Sequence, residues 1–312
     1  MDELQNLVEI SIWEKLRKGE ADSPLSILVR DNESLMKETG LSCKELEEVK
    51  ATLSNIVFRS QFLSADIVEP WDRVSTGCQN IDSLMRGGIP INGITEIFGC
   101  SGVGKTQFCL QLSLQIQLPY DLNGKEKGVV YICTEDPFPS KRLHQLSESF
   151  KEHYKLPQID FESNIFVDHS ADLEQLKCCL SVRLPNLIRL KNIGLIVLDS
   201  IAGPFRSENS KTNYTSRGRE LCDISSSLNQ LCEEFKIAVV CVNQVTEDVV
   251  NDKTEPCLGL AWSNNVTYRC QISRFNDTPT REFEIIFAPD LPCSKCYFGI
   301  RKDGLVSIDD VR

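Results

Sequence analysis

The segment Gly99-Cys100-Ser101-Gly102-Val103-Gly104-Lys105-Thr106 has the spacing G-x-x-x-x-G-K-T. Residues of these types at this spacing can hold a polyphosphate. Glycines let the backbone wrap an anion with its N–H groups turned inward. A helix opening at Lys105 adds the positive end of its dipole. The lysine ammonium is a point charge for the β- and γ-phosphates, and the threonine hydroxyl can ligate Mg2+. The flanks fit: the apolar run Ile94–Phe98 precedes the loop and the helical pattern of 105–118 follows it. That strand–loop–helix context makes a chance glycine turn a poor explanation.

Two carboxylates occur where phosphate chemistry needs them. Asp199 ends the apolar run Leu195–Leu198 and reads as a Mg2+-holding strand-end acid. Glu135 ends the run 128–134. A carboxylate there can orient and deprotonate an attacking water; a solvent-exposed loop acid is an equal reading of Glu135 taken alone. Asn243-Gln244 closes a third run. Gln244 can sense a γ-phosphate, or it is simply a polar strand end.

The elements that must carry these groups form an alternating pattern. Apolar runs at 94–98, 128–134, 164–168, 195–199 and 237–243 read as strands, and helical patterns occupy 105–118, 139–152, 172–183 and 216–235. Strands alternating with helices imply an α/β fold with a mostly parallel sheet covered on both faces. Shorter strands near 266–273, 283–288 and 296–301 read as an antiparallel edge. Residues 1–58 differ: they form a helical N-terminal lobe, with a capping box at Ser42 and Glu45 opening a helix and Gly40 ending the one before. A helix-hairpin-helix reading of Leu35–Leu46 competes with a plain packing or protein-docking lobe. The eight Lys/Arg and 12 Asp/Glu of residues 1–60 favour the latter. Residues 59–75 lose periodicity around Pro70 and read as a linker; residues 76–312 form the core.

Composition excludes several classes. With 41% hydrophobic and 25% charged residues the chain is neither a low-complexity scaffold nor a disordered tail. No apolar run is long enough for a membrane span. The N-terminal residues lack the pattern of a signal or transit peptide, so the expected location is the cytosol or nucleus. The 14 Cys therefore read as reduced thiols. The single C-x-x-C (Cys293, Cys296) and three scattered His predict no structural metal. A net charge of −11 means that any DNA contact must use a local basic patch.

Glu135, Asp199 and Gln244 at successive strand ends, behind the P-loop, together resemble the RecA-type recombinase core. So does Thr76-Gly77 with Ile81-Asp82, Leu84 and Gly87-Gly88, which precedes the P-loop strand. The stretches Tyr131–Leu143, Leu258–Asn264 and Ala288–Pro292 look like a DNA-repair paralogue of the eukaryotic strand-exchange recombinase. The resemblance covers 76–312 well, and residues 1–58 only as a small helical lobe. It implies a RecA-like P-loop ATPase core that binds ATP and Mg2+. Gly99, Cys100, Ser101, Gly102, Val103, Gly104, Lys105, Thr106 and Gln107 would hold nucleotide, and Thr106 and Asp199 the Mg2+. Glu135 would be the catalytic carboxylate, assisted by Lys105 and Gln244. Arg142 would stack on adenine, and the segment ending at Pro292 would cap a nucleotide at a protomer interface. Phe62-Leu63-Ser64-Ala65 has the F-x-x-A form that family members insert into a neighbour, with Phe62 and Ala65 as anchors. A Phe62 that packs back on its own core is the competing reading.

Residues 203–220 and 245–257 correspond to the loops that line the DNA path in recombinase filaments. In the first, Arg206, Lys211, Arg217 and Arg219 outnumber Glu208 and Glu220, and Phe205 and Tyr214 add stacking surface. The second holds four acids against one Lys, which argues against autonomous strand exchange. Asp136 stands where the recombinase has Gly. The resemblance thus implies a subunit of a hetero-oligomer in homologous recombination repair of double-strand breaks and branched junctions, with weak DNA-dependent ATP hydrolysis. Its implied partners are the C-type recombinase paralogue, the strand-exchange recombinase, and single-stranded and branched DNA, with no membrane. Its implied location is the nucleus, also the cytoplasm. An autonomous DNA-dependent ATPase with its own filament, and an adaptor with a structural nucleotide, are the alternatives. A small-molecule P-loop kinase fits poorly.

Overall fold

The computed structural model describes residues 8, 10–19, 23–57, 71–206, 214–248, 253–276 and 278–308. The chain divides into two compact units, Met1–Pro70 and Trp71–Arg312. Phe62 and Ala65 lie outside the described residues, as does Lys211.

The smaller unit contains the helices Ile10–Lys18, Pro24–Val29, Asn32–Thr39 and Cys43–Val57. Their ends follow from local chemistry. The Asp31 carboxylate accepts from the N–H groups of Glu33 (3.2 Å) and Ser34 (2.9 Å). Gly40 ends its helix at φ +70°, where a side chain would be strained. The expected capping box forms: Ser42 N donates to Glu45 Oε2 (2.7 Å) and Glu45 N to Ser42 Oγ (3.3 Å). Leu16, Ile27, Leu35, Leu41, Leu46, Val49 and Leu53 make a core of their own.

The larger unit opens with a short ribbon, β1 (Arg73–Val74) paired antiparallel with β2 (Ile89–Pro90). The main strands are β3 (Ile94–Phe98), β4 (Gly128–Cys133), β5 (Ile165–His169), β6 (Ile193–Asp199) and β7 (Ala238–Asn243). A hairpin, β8 (Val245–Asp248) and β9 (Lys253–Pro256), precedes β10 (Tyr268–Arg274), β11 (Thr280–Phe287), β12 (Lys295–Arg301) and β13 (Gly304–Ser307). The nine-stranded sheet runs β13-β12-β11-β10-β3-β7-β6-β4-β5.

Alternation along the parallel strands divides the core. Val129, Tyr131 and Cys133 of β4 and Leu195 and Val197 of β6 face one cluster, while Val130, Ile132, Ile196 and Leu198 face the other. Burial on both faces is why these strands read as continuous apolar runs.

Three features differ from the sequence expectation. β10 pairs parallel with β3 and antiparallel with β11, so the antiparallel edge begins one strand later than expected. The helix expected to end at 183 continues to Leu190 through a π-helical stretch, Cys179–Arg183. Pro185 lies just after that stretch and has no N–H for the helical ladder, which is where the ladder departs from regular α-helix. The second loop contains the β8–β9 hairpin.

A charged cluster lies inside this apolar frame. Glu96, in the middle of β3, is fully buried. Its carboxylate accepts from Asn243 Nδ2 (2.7 Å) and Trp262 Nε1 (2.9 Å), and from the Arg269 guanidinium. Arg269 also donates to Ser263 Oγ (2.7 Å), and Asn243 Nδ2 to the Cys257 carbonyl (2.8 Å). The network ties the P-loop strand to the end of β7 and to the foot of the β8–β9 hairpin.

Removing one member leaves an uncompensated buried charge. Arg269→Ala is expected to cost about 3–5 kcal/mol of stability. The double variant Glu96→Gln/Arg269→Met should recover much of that loss, because no charge remains buried. Urea unfolding followed by circular dichroism checks both.

Candidate nucleotide site

The parallel strands end together. Phe98 pairs with Asn243, Val242 with Asp199, and Asp199 with Cys133. The residues that follow these ends converge on one edge of the sheet: the P-loop after β3, Thr134 and Glu135 after β4, Asp199 closing β6, and Gln244 after β7.

The P-loop runs from Gly99 to the helix Lys105–Gln115. Gly99 is required by close approach, since a Cβ there would lie 2.1 Å from the Ile272 carbonyl oxygen. Gly104 caps the helix at φ +112°, and no side chain caps its first N–H groups. Those donors are available to an external anion. Lys105 is nearly buried, and its ammonium donates to the carbonyls of Gly99 (2.7 Å) and Cys100 (2.8 Å). Burial pushes its pKa down, against the opposing pull of Asp199.

Asp199 Oδ2 accepts from Thr106 Oγ1 (2.9 Å) and Tyr131 Oη (2.8 Å). Burial pushes the Asp199 carboxyl up, with both hydrogen bonds opposing. Tyr131 is the member that motif reading missed. Its signal was a polar-tipped aromatic in a fully buried strand, which must find a partner for its hydroxyl. The hydroxyl fixes the Asp199 carboxylate beside Thr106.

Glu135 is held on both oxygens. Arg206 Nη1 donates to Oε1 (2.7 Å), while Ser200 Oγ (2.9 Å) and Gln244 Nε2 (2.6 Å) donate to Oε2. Arg206 Nη2 also donates to Gln244 Oε1, which closes a ring of three side chains. Gly203 makes room for this ring: a Cβ there would lie 2.3 Å from Thr134 Oγ1 and 2.8 Å from Glu135 Cγ. Arg206, expected on a DNA path, is therefore turned onto the carboxylate. Arg217 lies over the Phe205 ring (5.4 Å), and its buried Nε has no hydrogen-bond partner among the described residues. Arg219 is exposed.

Arg142 reaches the P-loop helix. Its Nε donates to Gln107 Oε1 (2.7 Å), and its Nη atoms donate to the carbonyls of Arg301 and Lys302 (2.8 Å each). These bonds lie in the guanidinium plane and leave its faces for stacking. Pro292 is not brought to this edge. It follows β11, and its neighbour Asp290 binds Arg73 Nη2 (2.5 Å) and Tyr268 Oη (2.6 Å) near the amino end of β10.

The donor set suits a magnesium–polyphosphate: an uncapped helix start, a desolvated ammonium, and a hydroxyl–carboxylate pair. With the sheet topology, this defines a RecA-like P-loop core. The Rad51 family profile matches residues 71–309, and the chain belongs to that family. DNA repair protein XRCC3 of Mus musculus is 33% identical over 326 residues, 93% of each chain. XRCC3 of Bos taurus is 37% identical over 256 residues, covering 76% of this chain and 75% of that protein. DNA repair protein rhp57 of Schizosaccharomyces pombe is 29% identical over 317 residues, covering 86% and 88%. Members of the family bind ATP with Mg2+.

The raised Asp199 carboxyl has a definite sign. Its folded pKa lies above the unfolded value near 4, so its ionisation costs stability as pH rises out of the ordinary carboxylate range. Asp199→Asn should therefore melt higher than wild type in the nucleotide-free state. The gap should widen from about pH 4 towards neutrality. The same variant should lose the extra stabilisation that Mg2+ adds to ATP. Scanning calorimetry across pH, with and without Mg–ATP, checks both.

Proposed function

We propose that this protein is an ATP-binding Rad51 paralogue of homologous recombination repair, working as a subunit of a hetero-oligomer that assists the strand-exchange recombinase. The observation that supports this best is the convergence of the P-loop, Glu135, Asp199 and Gln244 on one sheet edge, in a chain that matches the Rad51 family over residues 71–309. The relatives named XRCC3 and rhp57 are DNA repair proteins, and a nuclear location follows from the same reading.

In this proposal, N–H groups of residues 99–107 hold the phosphates and Lys105 bridges the β- and γ-groups. Thr106 and Asp199 hold Mg2+, whose charge would neutralise the phosphate oxygens. Glu135 orients and deprotonates water, Gln244 contacts the terminal phosphate, and Arg142 stacks on the base. A nucleotide between subunits stabilises assembly by mass action, with the segment around Pro292 facing a neighbour's site. Phe62 and Ala65 are proposed as the anchors that dock on a partner. The partner is proposed to be the C-type paralogue, with single-stranded and branched DNA as the substrate. Arg206, Lys211, Arg217 and Arg219 are the proposed phosphate contacts. The four acids of 245–257 favour assistance over autonomous strand exchange.

Lys105→Ala should weaken nucleotide binding about tenfold or more, since a charge-assisted phosphate contact is lost. Unchanged binding would remove the P-loop assignment. Glu135→Gln should keep nucleotide binding and lower turnover by about a hundredfold or more. Filter binding and phosphate release measure the two. Phe62→Glu should abolish co-purification with the partner while leaving the melting temperature unchanged, because a charge is costly to bury in an apolar pocket.

A further inference from the structure

We propose that Arg206 is a latch on Glu135 that the phosphodiester backbone of single-stranded DNA releases. This rests on the reading of Glu135 as the hydrolytic carboxylate. A general base must present a free lone pair to water. Here Arg206 takes one of the two lone-pair sites of Oε1, and Ser200 and Gln244 fill both sites of Oε2, so water is left only the site beside the guanidinium. The same guanidinium holds Gln244 by its side-chain oxygen. A single cation thus immobilises both groups that would face a terminal phosphate.

The latch is built to open. The Arg206 side chain is 54% exposed and that of Glu135 24%. An ion pair this accessible is worth little. A DNA phosphate can accept a bidentate guanidinium as well as a carboxylate can. The acceptor's destination is also cationic: Arg217 lies over the ring of Phe205, one residue before Arg206. A phosphate drawn to Arg217 meets Arg206 beside it. When Arg206 exchanges Glu135 for the phosphate, both sites of Oε1 open to water and Gln244 can turn. No covalent bond changes in the exchange.

Competition for one guanidinium is reciprocal. Removing the Glu135 charge must free Arg206 for DNA by the amount that DNA frees Glu135. The test is a mutant cycle read by fluorescence anisotropy of a labelled oligothymidylate, with full-length protein at fixed low salt and without nucleotide. Glu135→Gln should tighten DNA binding about two- to fivefold, the worth of such a pair. The gain should vanish in the Arg206→Ala background and persist in the Arg217→Ala background. A plain through-space charge effect would appear in all three backgrounds and would overturn the latch. Absence of oligothymidylate binding would overturn it too.

Phosphate release on the same proteins gives a second readout. Arg206→Ala should raise DNA-free turnover several-fold and lose stimulation by DNA. Turnover that falls in Arg206→Ala would count against the latch. If no protein in the series releases phosphate, the hydrolytic reading of Glu135 fails, and the binding cycle alone decides whether Arg206 is shared.

Discussion

Parallel strands paired in register must finish side by side, and in this chain that constraint places chemistry. The ends of β3, β7, β6 and β4 lie within one residue of each other along the ladder. Whatever follows those strands is forced onto one edge, with the amino end of the Lys105–Gln115 helix among it. A one-residue slip of β6 or β4 would turn Asp199 or Tyr131 to the wrong face. The apolar residues that fix the register therefore also fix the distances between Thr106, Asp199, Glu135 and Gln244.

Electrostatics makes the site costly in the absence of a ligand. Lys105 and Asp199 are desolvated and pushed towards their neutral forms in opposite directions. Each is held by neutral partners: backbone carbonyls for the cation, hydroxyls for the anion. A polyphosphate with its metal would supply the counter-charges that the protein leaves out, and its binding would couple occupancy to stability. The buried Glu96–Arg269 cluster is the opposite case, because it is closed and complete within the chain. It fixes Asn243, whose Oδ1 accepts the Gln244 N–H at 2.8 Å. Gln244 thus sits on a rigid foot.

The P-loop, the five parallel strands and their helices were legible because each is a contiguous pattern with its own period. Asp199 was legible from its place at the end of an apolar run. The direction of β10 was not, since alternation of apolar residues does not encode parallel or antiparallel pairing. The β8–β9 hairpin was hidden in an acidic segment without a run of apolar alternation. Tyr131 looked like one more core aromatic until its hydroxyl found Asp199. The contacts of Arg206 were the least legible. They join residues 71 and 38 positions apart, and its charge alone pointed to DNA. Glu96 was a signal passed over: an acid inside a strand otherwise read as buried needed a cation, and Arg269 supplied it.

The most direct test of the site is calorimetric titration of ATP into the full-length chain, with Mg2+ and with EDTA. One nucleotide per chain, bound about tenfold or more tightly with Mg2+, is the expected result. Absence of binding, or binding indifferent to Mg2+, would contradict the assignment of Lys105, Thr106 and Asp199 to a magnesium–nucleotide site.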